Sequence, residues 1–343
     1  MLGVAIGDLH LDALTKYWSN ANNMQAEAVV SAAHLAVKRF GAKHIVLLGD
    51  VAEGIKDSTG AYVRLSELGQ SVLLDLLLEL QSMAPVHIIC GNHDFSSVGN
   101  TSLNLFEKMS RNGLFKRVNI YTEPAYKVID GAKVAFLPHP HKEATKAVNL
   151  AFAHYEVAGA VSDSGRVIKN DEKGAKGATY IQGHLHTKQK VRNHFYPGTL
   201  YQMSFGESLP KFFGMFHSGA SGVSVKTHSV NPPFKLINLR VSKPSELKGL
   251  DTSPTTLYKL FLHESVKVPD SFLADHQNIV NALEYKDETE LAALEELSLN
   301  LTESAIDLSI DQVLPDYLKA QGISKSTIRK ALELHQRLLS SHK

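Results

Sequence analysis

Carboxylate, amide and imidazole side chains recur in five short motifs, each placed after an apolar run. GDLHLD sets Asp8 and His10 at i and i+2, on one side of an extended segment, so that both can grip one cation. GDV supplies Asp50, whose two oxygens can serve two metals, and Gly49 lets the backbone turn tightly beneath a ligand. GNHD offers the Asn92 amide oxygen as a neutral ligand, while the adjacent His93 can point at a substrate and Asp94 follows. AFAHYE ends an apolar run on His154, and GHLHT repeats the alternate spacing with His184 and His186. A DxH or HxH pair alone is common and usually structural; the order of all five, each after a strand-like run, points to a metal centre. Mixed imidazole, carboxylate and amide donors suit manganese, iron or zinc better than calcium.

The elements that must position these residues alternate early in the chain. Residues 2–6, 44–48 and 86–89 read as buried strands, with helices over 25–40, ended by Gly41, and over 66–82. Short β-type runs then dominate, at 125–129, 134–137, 150–153, 178–182 and 190–196, with further candidate strands over 204–239. Helices early and strands late predict a layered α/β sandwich, and ligands in such sheets gather beyond the carboxyl ends of strands. The Ser, Pro, Lys and Gly content of 242–253 marks a linker, giving a core over 1–241, a small region over 242–312 and a helical segment over 313–343. Ile328, Leu332, His335 and Leu339 form one helical stripe there, either a partner-docking face or a helix packed on its own domain.

Composition restricts the partners. Of 343 residues 43% are apolar and 21% charged, ordinary globular values. Lys plus Arg number 36 against 35 Asp plus Glu, so a surface for a polyanion must be local. No apolar run reaches the ~18 residues of a membrane span, and Met1 to Asp8 lacks the basic start of a signal peptide. With Cys90 the sole cysteine, no internal disulfide forms, which fits a cytoplasmic setting. Cys90 itself reads as a buried small hydrophobe, His34, His44 and His87 as packing or surface residues, and His139 and His141 of LPHPH as loop residues.

The five motifs together resemble those of the calcineurin-like metallophosphoesterase superfamily, over residues 1–207. The resemblance implies a two-sheet β-sandwich flanked by helices. It further implies that Asp8, His10, Asp50 and His186 hold one divalent metal while Asp50, Asn92, His154 and His184 hold the other, with Asp50 bridging. His93 would then stabilise the transition state or donate a proton to the departing oxygen, and Asp94 would orient it. GDVAEGI and GNHDFSS depart from the protein Ser/Thr phosphatase forms, GDxVDRG and GNHE. YPGTLYQMSFGE, over 196–207, looks like the segment following GHxH in SbcD-like nucleases. That subfamily implies manganese, with magnesium, iron or zinc as alternatives, a DNA exonuclease with endonuclease activity, a homodimer, and an SMC-like (SbcC-like) ATPase partner in break repair or recombination. It also implies a small α+β cap for DNA and a helical segment for the ATPase. GDVAE places Glu53 where several members have His or Asp. A small-substrate phosphomonoesterase or cyclic-nucleotide phosphodiesterase uses the same metal site, and a non-catalytic scaffold would have no need of every ligand.

Overall fold

The computed structural model describes residues 1–53, 55–56, 62–95, 100–169 and 177–295. In chain order the elements are β1 (Leu2–Ile6), α1 (Ala21–Phe40), β2 (His44–Leu47), β3 (Ile55–Lys56), β4 (Tyr62–Arg64), α2 (Glu67–Met83), β5 (Val86–Ile89), α3 (Asn104–Arg111) and β6 (Val118–Tyr121). There follow β7 (Ala125–Ile129), β8 (Ala132–Leu137), β9 (Leu150–His154), β10 (Thr179–Gly183), β11 (Gln189–Val191), β12 (His194–Tyr196), β13 (Lys211–Gly219) and β14 (Gly222–Val230). Last come β15 (Lys235–Val241), β16 (Thr256–His263), α4 (Asp270–Asp275) and β17 (Ile279–Tyr285).

Two six-stranded sheets form the first unit, in the orders β14-β13-β1-β2-β5-β6 and β11-β12-β10-β9-β8-β7. β1, β2, β5 and β6 run parallel, as do β8, β9 and β10, so their carboxyl ends share one edge of each sheet. Nearly every residue of β1, β2, β5, β9 and β10 is buried, which explains why these strands read as unbroken apolar runs. Helix α1 ends at Gly41, whose left-handed φ of 73° lets its N–H reach the Ala36 carbonyl. Helix α2 starts after Ser66, whose hydroxyl accepts from the Gly69 N–H at 2.9 Å.

Between the sheets, Phe136 stacks on Tyr121 at 4.2 Å and meets Phe152 at 5.4 Å, and Phe152 meets Phe216 edge-on at 5.1 Å. This aromatic spine fixes how the two sets of strand ends face each other. The single run expected over 190–196 is a hairpin, β11 and β12, because Arg192 takes a left-handed φ of 56° and reverses the chain. Helix α3 and strand β6 lacked a sequence signal.

Among the described residues, the second unit comprises Ser204–Glu207 and the chain from Phe234 to Glu295. Its three-stranded sheet, β15-β16-β17, is parallel throughout and encloses Val241, Leu247, Leu260 and Ala282. The expected boundary at 242 therefore falls too late: β15 pairs with β16 along its whole length, from Lys235↔Thr256 to Val241↔Leu262. Nor is 242–253 an open linker, since Glu246 accepts from the Ser242 N–H at 2.7 Å and Leu247 is buried. The segment over 313–343, including Ile328, Leu332, His335 and Leu339, lies outside the described residues. Among the described residues no helix is long and apolar enough to cross a membrane.

Apart from the motif residues, polar side chains form a chain: Asp130 Oδ2 to His44 Nε2 at 3.0 Å, His44 Nδ1 to His87 Nε2 at 3.4 Å, and His87 Nδ1 to the Tyr121 hydroxyl at 3.1 Å. Burial and the neighbouring His44 push the His87 imidazole down to about 3. Unfolded histidine takes up a proton below about 6.5, so the unfolded chain binds more protons than the folded one between about 6.5 and 3. Stability therefore falls as pH drops through that window. His87→Phe, which keeps a ring against Phe136, is expected to flatten the acid slope by about one proton, ~1.4 kcal/mol per pH unit. Urea melts of the two proteins between pH 4 and 7 check this.

Candidate metal centre

The motif residues meet where the carboxyl ends of β1, β2 and β5 in one sheet face those of β9 and β10 in the other. Asp8 and His10 follow β1, Asp50 follows β2, and Asn92, His93 and Asp94 follow β5; His154 closes β9, and His184 and His186 follow β10. Asp8, His10, Asp50 and His184 all take left-handed backbone conformations, with φ of 30°, 47°, 45° and 80°. Such conformations cost of order 1 kcal/mol or more each in non-glycine residues and are held only where the surroundings dictate them. The backbones also approach closely. A Cβ on Gly91 would strike the Asp50 carboxylate, one on Gly183 would strike the Leu48 carbonyl, and one on Gly49 would strike the His154 ring.

Two ligand sets emerge. Asp8, His10 and His186 each offer an atom within 4.8 Å of the others, and His10 Nε2 lies 3.7 Å from Asp50 Oδ2. Asp50, His154 and His184 form a second such group. In it, His154 Nε2 is 3.1 Å from Asp50 Oδ2 and 3.0 Å from Asn92 Oδ1, and His184 Nδ1 is also 3.0 Å from Asn92 Oδ1. Asp50 thus reaches both sets through one oxygen. Its other oxygen accepts from the His93 backbone N–H at 2.8 Å. His154 Nδ1 donates to the Leu48 carbonyl at 2.7 Å, which turns Nε2 and its lone pair inward.

The electrostatics fit a cation. Among the described residues Asp8 Oδ2 and His10 Nε2 are buried without a hydrogen-bond partner, a costly state for atoms that are not ligands. Burial pushes the Asp50 carboxyl up, but the His154 charge and hydrogen bond, with His93 and His10, outweigh it and hold it well below the carboxylate range. Burial opposes a charge on His154, yet the adjacent Asp50 and Asp8 raise it to about 9. The cluster therefore draws positive charge inward, and divalent ions would supply it in place of that proton. Burial, with the His154 charge, pushes His184 down to about 3, which keeps its imidazole neutral as a ligand must be.

His93 sits beside these sets, its ring 4.9 Å from that of His10. Its orienting carboxylate is Glu53, not Asp94. Glu53 Oε2 lies 3.0 Å from His93 Nδ1 and 2.7 Å from His10 Nδ1, so one oxygen aligns both rings. The hydrogen bonds from the two histidines outweigh burial and hold Glu53 far below the carboxylate range. Asp94 points instead at the backbone, accepting from the N–H groups of Gly91 at 2.8 Å, Ala52 at 2.9 Å and Val51 at 3.3 Å. It ties the GDV loop to the GNHD turn, and the expectation that it orients His93 is corrected on that ground.

One further support, Asp163, carried no motif signal. Asp163 accepts from the His186 N–H at 3.0 Å and lies 3.3 Å from its Nδ1. Thr199 and Tyr201 buttress the ligand loops: the Tyr201 hydroxyl donates to the Leu9 carbonyl at 2.9 Å, and the Thr199 N–H donates to the His186 carbonyl at 3.2 Å. Cys90 is fully buried, with its thiol pushed up by burial, as a core residue should be.

The profile of the calcineurin-like phosphoesterase family matches residues 4–188, a span that holds all five motifs. The protein called "Putative phosphoesterase 244L", from Invertebrate iridescent virus 6, is 26% identical over 244 residues, covering 65% of this chain and 84% of its own. Among solved structures, a novel archaeal phosphodiesterase is 11% identical, covers 67% of this chain and 100% of its own, and has a TM-score of 0.35. A protein of unknown function from Aquifex aeolicus is 15% identical, covers 45% and 80%, and has a TM-score of 0.23.

If Asp50 joins the two sets, Asp50→Ala should lower bound manganese from two ions per chain to fewer than one, while His93→Ala keeps both. Elemental analysis after loading and desalting measures this directly.

Proposed function

The chain belongs to the calcineurin-like phosphoesterase family, and from that premise we propose that it is a manganese-dependent phosphodiesterase acting on DNA. The observation that carries the hydrolytic reading is the single Asp50 oxygen shared by two ligand sets, with His93 held beside them. Asp8, His10, Asp50 and His186 would hold one ion, and Asp50, Asn92, His154 and His184 the other. When bound, such a pair supplies a nucleophile from water at neutral pH and neutralises charge on the phosphoryl oxygens.

The chain's own groups do the rest. The His93 N–H fixes the shared carboxylate from behind. Glu53 engages His93 Nδ1, so the proton His93 can deliver to a departing alkoxide is the one on Nε2. His10 is locked by the same carboxylate, which couples the placement of a ligand to that of the acid. Burial of Asp8, Asp50 and His154 keeps competing water from their polar atoms.

For DNA as substrate, the support is the segment over 196–207 and the presence of a further unit after the core, the arrangement of an SbcD-like nuclease working as a homodimer with an SMC-like ATPase in repair or recombination. A small-substrate phosphoesterase is the second reading. It draws on the finding that Thr199 and Tyr201 of that segment serve the ligand loops, a task any member of the family needs.

Purified protein with manganese is expected to release label from an end-labelled duplex, with EDTA and Asp50→Ala abolishing release. Duplex, single-stranded and hairpin DNA all surviving while bis(p-nitrophenyl) phosphate is cleaved would favour the second reading. His93→Ala is expected to cost ~10²- to 10⁴-fold in kcat with metal retained. Glu53→Gln, which weakens the alignment of His93, should cost ~10- to 100-fold. Equal rates for Glu53→Gln and the parent protein would remove Glu53 from the mechanism.

A further inference from the structure

Among the described residues strand β11 is an edge of the second sheet, paired on one side only, to β12. It begins three residues after His186, and Lys188, Lys190 and Arg192 follow that ligand at alternate positions, all three exposed. The residue between the lysines faces the other way: Gln189 accepts from the Val161 N–H at 2.8 Å and donates to the Val161 carbonyl at 2.7 Å. Strand alternation thus sets Lys190 on the side opposite Gln189, with Lys188 just before the strand and Arg192 in the turn after it.

Each lysine lies over an aromatic face. Lys188 Nζ is 4.0 Å from the Phe212 ring centre, and Lys190 Nζ is 4.7 Å from that of Phe195, its cross-strand partner. Among the described residues neither lysine forms an ion pair. Their charges are not neutralised locally, although the chain as a whole carries only +1. Alternate residues of a strand repeat every ~6.6 Å, on the order of the phosphate spacing along an extended nucleic acid strand. Cations interleaved with ring faces are the pattern that grips a backbone without reading its sequence.

We propose that Lys188, Lys190 and Arg192, with the rings of Phe195 and Phe212, form a track for the phosphodiester backbone of a DNA strand whose scissile bond lies at the metal centre. The proposal rests on the DNA reading above and gives it a surface. A short phosphate ester would occupy the centre without reaching the track, so the track separates polymer from small substrate.

The test uses the full chain and a fluorescein-labelled single strand of 20 nucleotides, titrated by anisotropy in EDTA at several salt concentrations. Variants are Lys190→Gln, the triple change Lys188→Gln, Lys190→Gln and Arg192→Gln, and a charge-matched control with Lys38, Lys43 and Lys133 each changed to Gln. With three phosphates no longer neutralised, the slope of log K against log salt should shrink by about 2 in the triple variant, and by about 0.7 in the single one. Affinity at 100 mM salt should fall about tenfold or more in the triple variant, with the control unchanged and manganese-dependent turnover of bis(p-nitrophenyl) phosphate within about twofold of the parent. If the parent binds DNA and the triple variant matches the control in slope and affinity, the track is wrong and the DNA reading stands. Loss of small-diester turnover along with DNA binding also overturns it, since the change would then act through the centre. If the parent cleaves the small diester but neither binds nor cuts DNA, both proposals fall together.

Discussion

Two carboxylates almost wholly removed from water, Asp8 and Asp50, set the terms for the rest of the molecule. Burying such charge is tolerable only with compensating positive charge or donors close at hand. Imidazoles from both sheets and backbone N–H groups from His93 and His184 supply the compensation. Bringing them within reach requires the two sheets to end at the same place, which the stacked rings of Tyr121, Phe136, Phe152 and Phe216 enforce. It also requires left-handed backbone at four ligand residues, a cost that the apolar core offsets.

Much of this arrangement was legible in the residue order. Strands β1 and β5 could be read to their end residues because they are buried on both faces, so nearly every position is apolar. All seven ligand candidates converge, since each follows or closes a strand whose carboxyl end lies on the shared edge. What stayed hidden depends on side-chain direction. Nothing in GNHD tells whether Asp94 turns toward the neighbouring ring or the backbone, and it turns to three N–H groups of two loops. Glu53 stood out only as a departure in GDVAE, and its contact with both His10 and His93 arises from the fold. Asp163 follows no pattern at all. The boundary near 242 was misread because Ser, Lys and Pro there suggested open chain, while the decisive fact is the pairing of β15 with β16, invisible locally.

The supports divide the labour in a way the motifs conceal. Asp94 holds backbone, Glu53 and Asp163 hold rings, and the segment after GHLHT holds the loops that carry Asp8, His10 and His186. Residues that resemble a subfamily signature can therefore be selected by the needs of the ligand loops as much as by substrate. A surface such as the β11 edge, whose exposed lysines lie outside the ligand loops, is a better place to look for substrate choice.

Three of the four motif glycines carry a further implication. Gly49 abuts His154, Gly91 abuts Asp50, and Gly183 abuts Leu48, so each glycine of one motif leaves room for an atom of another segment. The motifs are consequently not independent characters in evolution. A change in one alters which changes the others tolerate, and lineages would lose or keep the set as a block. Such epistasis would tie together a constellation scattered over 179 positions, from Asp8 to His186.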